Sequence, residues 1–366
     1  MSARLLAIGT SVPAGRLSRE GACELSARVA PQVPRSVHER MHERTGVRSR
    51  GGVIFDAGGE QGLYTPAAHA SERGPSTAER LKGFVEHATE LAERAAREAM
   101  TRAGVNSASI THVITASCTG AEAPGVDIAL MRRLGLRADV RRTHVGFMGC
   151  HAAINALAMA DGFARSDASA VVLVVCVELC TLHMHYGERA DQLIANALFA
   201  DGAAAAIVSA AETREDAMQL AGFASRLFTT AAGEATTDRM RWEITDNGFA
   251  MTLAKDVPEL LAACVPGWMG EALSAHGLSA ADVGAWALHP GGPRIVQSLV
   301  EALALRTEVC ERAVGDAMDV LAQHGNMSSA TVLFMLERML REGCPRPVVT
   351  LAFGPGLAGE MMLLRR

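Results

Sequence analysis

Hydrophobic positions along the chain switch between two rhythms, and the switches sketch the fold. Residues 3–8 form a short apolar run that predicts a strand. Residues 87–103 carry Leu91, Ala95 and Ala99 four apart, the spacing that keeps one helical face apolar. Residues 169–177 are continuously apolar and β-branched, as expected of a strand buried on both faces. Residues 51–75 are crowded with glycine and proline and predict a long surface excursion. Strand-like and helix-like segments alternate throughout, which places the chain in the α/β class.

The pattern also repeats. The stretch from Glu98 to Ile110 lies without a gap on the stretch from Glu271 to Val283, with Glu, Ala, Gly and Ala recurring in step. Each copy reads as a helix, a glycine stop and an apolar strand, residues 112–115 in one and 285–288 in the other. At nearly the same offset, Gly149-Cys150 opens a small-residue helix (residues 154–163) that leads to the strand at Val171. Gly325-Asn326 opens one that leads to Val348. Two copies predict a pair of half-domains related by a pseudo-twofold rather than a solenoid. The polar stretch 212–216 is the natural seam, giving halves 1–213 and 214–366.

Composition narrows the function. A chain of 366 residues with 49% hydrophobic residues and a formal charge of -5 is a globular protein without the basic excess of a nucleic-acid binder. Its longest apolar run, residues 170–177, is far short of the roughly 20 that span a membrane. Leu5-Leu6-Ala7-Ile8 is too short for a signal-peptide core, and the eight cysteines include no C-x-x-C pair, so reduced thiols and a cytoplasmic location are expected. Lys82 and Lys255 are the only lysines, which leaves little scope for Schiff-base chemistry.

Three motifs look like chemistry and weigh less on inspection. His38-Glu39-Arg40-Met41-His42 fits the H-E-x-x-H zinc helix, but a third ligand at the known spacing is missing and charged flanks predict an exposed helix. A zinc peptidase therefore stands only as the rival from another class. Gly354-Pro355-Gly356-Leu357-Ala358-Gly359 fits G-x-G-x-x-G, yet too few residues follow for a dinucleotide fold. His183-Met184-His185 alternates like a strand, and ordinary surface or pocket histidines explain it better than a metal pair.

One constellation outweighs these. Cys150 sits directly ahead of a helix, whose positive end favours a thiolate nucleophile. His289 follows an apolar strand and precedes the rigid turn Pro290-Gly291-Gly292-Pro293. Asn326 opens a helix and is almost the twin of Cys150 in the duplicated pattern, so a pseudo-twofold would bring the two helix ends together. A thiol, an imidazole and an amide are the parts needed to form a thioester and polarise a carbonyl.

At these residues the sequence resembles the chalcone-synthase-like type III polyketide synthases of the thiolase superfamily. The likeness runs over nearly the whole chain through the Cys150 segment, Trp286-Ala287-Leu288-His289-Pro290-Gly291-Gly292-Pro293, His324-Gly325-Asn326-Met327-Ser328-Ser329-Ala330-Thr331 and Phe353-Gly354-Pro355-Gly356-Leu357. Related ketoacyl synthases usually have Gln-Ala-Asn after the histidine, so a single-round ketoacyl synthase using a carrier protein is the second choice. The resemblance implies a five-layered αβαβα thiolase-like fold and a homodimer. It implies no metal or redox cofactor, with coenzyme A thioesters as substrates. Cys150 would carry an acyl group from a starter acyl-CoA. His289 and Asn326 would support decarboxylation of malonyl-CoA, and repeated condensation would close a pyrone, resorcinol or similar ring.

The same resemblance makes Phe199 and Met251 gatekeepers, with Arg40 and Arg44 at the CoA phosphates. Cys118, Cys180, His183, Trp242, Ser328, Gly354 and Pro355 would line the cavity. Cys118, Cys180 and His183 stand where chalcone-forming members have threonine. Trp242 replaces the glycine of plant members and is expected to fill part of the cavity. Ala123 replaces a methionine that reaches into the partner's site. These departures speak against a flavonoid product, and a fatty acyl starter is preferred to malonyl.

Overall fold

The computed structural model describes residues 3–55, 62–69, 71–211, 217–230 and 232–366. Strand β1 (Arg4–Ser11) lies in the middle of a nine-stranded sheet. The chain then forms the small ribbon β2 (Arg16–Ser18) and β3 (Ser49–Gly51), with helices α1 (Arg19–Val29) and α2 (Arg35–Thr45) between its strands. Helix α3 (Thr77–Ala103) begins well before its apolar stripe does, because Ser76 and Glu79 form a reciprocal capping box at its start. After it come β4 (His112–Ser117), α4 (Val126–Leu134), β5 (Arg141–Gly146), α5 (Ala152–Ser166), β6 (Val171–Leu179), α6 (Ala190–Leu198) and β7 (Asp201–Ser209).

The rest of the chain starts with β8 (Met218–Leu227) and the hairpin β9 (Met240–Thr245) and β10 (Gly248–Leu253). It continues through α7 (Val257–Ser274), β11 (Ala285–Leu288), α8 (Pro293–Ala302), α9 (Thr307–His324) and α10 (Thr331–Arg341). It ends with β12 (Val348–Gly354) and β13 (Ala358–Arg365).

The sheet order is β11-β12-β13-β8-β1-β7-β6-β4-β5. Its two blades meet only where Arg4 and Leu5 pair with Gln219 and Met218. Helices α5 and α10 lie between the blades, α3 and α4 cover one outer face, and α7, α8 and α9 cover the other, giving the five expected layers. Alternation builds the sandwich. On β6, Val172, Val174 and Cys176 enter the central core, while Leu173, Val175 and Val177 enter the core under α3. A strand apolar on both faces is therefore required here, not merely tolerated.

The internal repeat is visible in the backbone. Gly104 caps α3 with φ of 71° and Gly277, in the turn just after α7, has φ of 68°, each followed by a single 3-10 turn and then by β4 or β11. Gly149, with φ of 70°, opens the turn that starts α5, and Gly325, with φ of 73°, stands shortly before the turn that starts α10. The seam at 212–216 lies outside the described residues. Part of the 51–75 excursion does as well. The rest departs from a plain surface loop, since Tyr64 is buried and its hydroxyl donates to Leu182 O at 2.7 Å.

Candidate active site

Three chain turns converge on one point between the blades. The chain leaves β5 through Phe147, whose φ of 58° is left-handed, and Gly149, whose φ is 70°. That sharp path sets Cys150 in the 3-10 turn Gly149–His151 at the head of α5. A Cβ on Gly149 would meet Pro355 Cδ at 2.4 Å. Gly149→Ala is therefore expected to destabilise the fold by about 1–3 kcal/mol and to displace the thiol. Denaturant unfolding and alkylation of Cys150 measure the two effects separately.

His289 leaves β11, which runs parallel to β12, and its backbone N–H donates to Leu351 O at 2.8 Å. The imidazole is 2% exposed and neither ring nitrogen has a partner. Asn326 is fixed by its backbone, donating to Leu198 O and accepting from Ala200 N, both at 2.9 Å. These bonds tie it alongside Phe199. Its Oδ1 accepts from Ser328 N at 2.9 Å, which leaves the Nδ2 hydrogens facing Cys150. Cys150, His289 and Asn326 line one small chamber with Phe199 and Met251. The group joins a thiol that can carry an acyl chain to two nitrogens that can meet a carbonyl oxygen.

The helix position favours a thiolate, and burial works against it. Removal from water pushes the Cys150 thiol up to about 12, with Glu178 adding to the rise and Ser328 and Asn326 only partly opposing it. Burial, with His151 nearby, pushes His289 down to about 3. Glu178 had no place in the sequence reading, although a lone acid in an apolar strand was the available signal. It is fully buried on β6 and accepts from Cys118 N at 3.0 Å, Thr119 Oγ1 at 2.8 Å and the Ser329 hydroxyl. Burial raises its carboxyl above the ordinary value.

Cys118, Cys180, Phe199, Trp242, Met251, Ser328, Gly354 and Pro355 all line a chamber of about 40 Å³ with Cys150. Trp242 divides it from a chamber of about 20 Å³ behind Phe199, and its Nε1 donates to Cys118 O at 2.6 Å. His183 faces this rear chamber. Residues 180–183 form a 3-10 turn rather than a strand, which corrects the alternation read from His183 and His185. Both histidines are buried rather than on the surface. His183 Nε2 bonds to Thr119 O at 2.7 Å, and its Nδ1 accepts from Phe249 N at 3.0 Å. Its ring stacks on Phe249, so no nitrogen remains for chemistry. Arg50, also unforeseen, is fully buried and donates to Phe199 O at 2.8 Å, which anchors the Phe199 backbone.

The H-E-x-x-H helix is not the exposed element its flanks suggested. His38 and His42 are buried against α1, bonded to Ala30 O at 3.3 Å and Ser26 Oγ at 3.1 Å. Those bonds and the packing between two helices account for both rings, and the zinc alternative falls. Among the described residues no group of three or more His, Cys, Asp or Glu is placed to hold a metal ion. Arg40 and Arg44 point outward from the same helix, whose end at Gly46 stands against Pro293 of the turn after His289. The G-x-G-x-x-G stretch is the hairpin between β12 and β13, followed by a strand and no helix. Ala123 lies apart from Cys150, on a separate surface hollow of about 490 Å³ beside edge strand β5.

Comparison with known proteins places this geometry. The family model "Chalcone and stilbene synthases, N-terminal domain" matches residues 1–212, and its C-terminal counterpart matches residues 232–366. The alpha-pyrone synthesis polyketide synthase-like Pks18 of Mycobacterium tuberculosis is 33% identical over 296 residues, covering 80% of this chain and 74% of its own. The 1,3,6,8-tetrahydroxynaphthalene synthase of Streptomyces peucetius is 30% identical over 365 residues, covering 98% and 92%. The crystal structure of PKS-I from the brown alga Ectocarpus siliculosus superposes with a TM-score of 0.90 at 28% identity, covering 100% of this chain and 98% of that one. The chain belongs to the chalcone and stilbene synthase family, the type III polyketide synthases of thiolase-like fold, and is an acyltransferase of that class.

Proposed function

We propose that the protein loads a short acyl group from acyl-CoA onto Cys150 and extends it with malonyl-CoA, then closes a pyrone or similar small ring. The observation that carries this reading is the shared chamber of Cys150, His289 and Asn326, with both imidazole nitrogens unpartnered. An acyl thioester enters this chamber first. The Cys150 proton then passes to His289 as sulfur attacks the carbonyl, and the departing CoA sulfur takes it back.

Malonyl-CoA enters next. Loss of CO2 leaves an enolate whose oxygen meets the Asn326 Nδ2–H and the His289 N–H. The enolate carbon attacks the Cys150 thioester, and the cysteine sulfur leaves. Arg40 and Arg44 would hold the CoA phosphates, a role supported by their exposure beside the Pro293 turn. Such substrates fit a cytoplasmic enzyme.

The chambers revise the preference for a fatty starter. Trp242 lines both the chamber of about 40 Å³ beside Cys150 and the one of about 20 Å³ next to it, and this partition supports a short starter over a long alkyl chain. Trp242→Gly should merge the two chambers and shift starter preference toward longer acyl-CoAs by at least about 10-fold in kcat/KM. Mass spectrometry of products from malonyl-CoA and acyl-CoAs of two to sixteen carbons tests both statements. Ring products from short starters support the reading. Products only from malonyl carrier protein, after one condensation, would replace it with a ketoacyl synthase.

Two structural expectations belong to the same proposal. The halves 1–213 and 214–366 are taken as the duplicated units, supported by the paired glycine stops. A homodimer is supported by the unpaired edge of β5, the exposed Phe147 and Met148 that follow it, and the hollow beside Ala123. Light scattering of the purified protein measures that directly.

A further inference from the structure

Arg50 puts a positive charge against the rear of the cavity, and the reaction scheme leaves it idle. It is the middle residue of β3, paired with Leu17 on β2, and is 1% exposed. Burial lowers its pKa to about 10, so the guanidinium is still a cation at neutral pH. Its Nη1 is spent on the backbone, donating to Asn196 O and, at 2.8 Å, to Phe199 O. Its Nε and Nη2 are buried without a partner. Those two nitrogens form one edge of the planar group, and their parallel N–H bonds match the two oxygens of a carboxylate.

The space this guanidinium borders is the chamber of about 20 Å³ behind Phe199, which it lines with Cys180, Thr181, His183, Asn196 and Trp242. Other polar side chains there are already engaged. Thr181 Oγ1 donates to Asp201 at 2.6 Å, and Asp201 also accepts from Thr181 N and Val53 N, both at 2.7 Å. Asn196 exchanges hydrogen bonds of 2.7 and 2.9 Å with the backbone of His185. His183 is held at both ring nitrogens, by Thr119 O and Phe249 N. A buried pair of N–H groups without an acceptor is costly, and an anion with two oxygens satisfies it most fully.

The rear chamber shares walls with the nucleophile's own. Cys180, Phe199 and Trp242 border both it and the chamber that holds Cys150. A chain held on Cys150 and threaded past Trp242 therefore brings its far end toward Arg50.

We propose that the Arg50 edge is a carboxylate subsite, and that the protein favours a starter acyl-CoA whose far end is a carboxylate over one of the same shape ending in methyl groups. The choice of starter rests on the Cys150 loading proposed above, whereas the subsite itself does not. The carboxylate exchanges no bond. It accepts two N–H hydrogen bonds and balances a buried charge, while an alkyl end leaves both N–H groups unmet.

Two measurements test this. In the first, succinyl-CoA is set against 4-methylpentanoyl-CoA and glutaryl-CoA against 5-methylhexanoyl-CoA, pairs that differ only by carboxylate for isopropyl at the far end. The second-order rate of Cys150 acylation, followed by mass spectrometry, should favour the carboxylate member by at least about 10-fold in wild type. Arg50→Lys keeps the charge but not the paired edge, and Ala195→Leu puts bulk into the rear chamber with Arg50 in place. Each should lower that ratio at least about threefold. The ratio is taken within each protein, so poorer folding lowers both members alike. In the second measurement, thermal unfolding is followed in sodium formate against sodium chloride at equal ionic strength. Formate should raise the melting temperature of wild type about 1–2 °C more than that of either variant. Equal acylation within both pairs by wild type overturns the proposal, as does a formate effect equal in all three proteins. Formate stabilisation confined to wild type, in a protein that accepts no acyl-CoA, would leave the subsite standing and remove the function.

Discussion

Replacing Cys150 with alanine should abolish ring-forming product, a loss of about 10⁴-fold or more, while slow decarboxylation of malonyl-CoA persists. The two steps use different parts of the site. Condensation needs a sulfur to hold the growing chain, and the other cysteines near the cavity cannot replace it. Cys118 and Cys180 line the adjoining chamber, but only Cys150 also borders the one that holds His289 and Asn326. Decarboxylation needs only donors at the enolate oxygen, and Asn326 and His289 remain. The fold should tolerate the change, since the backbone at 150 is ordinary right-handed turn and the strained positions are Phe147 and Gly149. Product release and CO2 release, assayed on the same preparation, separate the two activities.

Asn326→Asp should have the second largest effect, and on the opposite step. The aspartate keeps the Oδ1 acceptor that caps Ser328 N and so preserves the turn. It exchanges the Nδ2 donor for negative charge where the enolate oxygen must form. Loss of one such donor costs on the order of 10²–10³ in rate, and the added charge makes that a lower bound. Acylation of Cys150 by a starter acyl-CoA should survive, because the sulfur and His289 are untouched. An enzyme that condenses normally with aspartate at 326 would place the enolate elsewhere.

Much of this arrangement was legible before any coordinates. The strand at 285–288 and the glycine stops at 104 and 277 follow from local pattern alone. The near-twin positions of Cys150 and Asn326 made their meeting predictable, because a duplicated α/β unit carries its helix starts to a common centre. What local pattern could not reveal depends on tertiary enclosure. The burial that pushes the Cys150 thiol up, against the helix end that the sequence advertises, comes from elements far apart in the chain. His38 and His42 looked exposed because their flanks are charged, yet only the outer face of α2 is polar and the imidazoles turn inward toward α1. Trp242 was expected to occupy cavity space. That it locks onto Cys118 O and splits the space in two depends on a hairpin packed over 120 residues away in sequence.

The central claim is that Cys150 becomes an acyl thioester formed at the expense of acyl-CoA. Intact-mass and peptide-mapping spectrometry, after seconds of mixing with acetyl-CoA and other short acyl-CoAs, tests it most directly. The account predicts one added acyl mass per chain, mapped to the Cys150 peptide, cleared by malonyl-CoA and absent in Cys150→Ala. Acyl mass on another residue, or none with any starter while malonyl-CoA is still consumed, would contradict it.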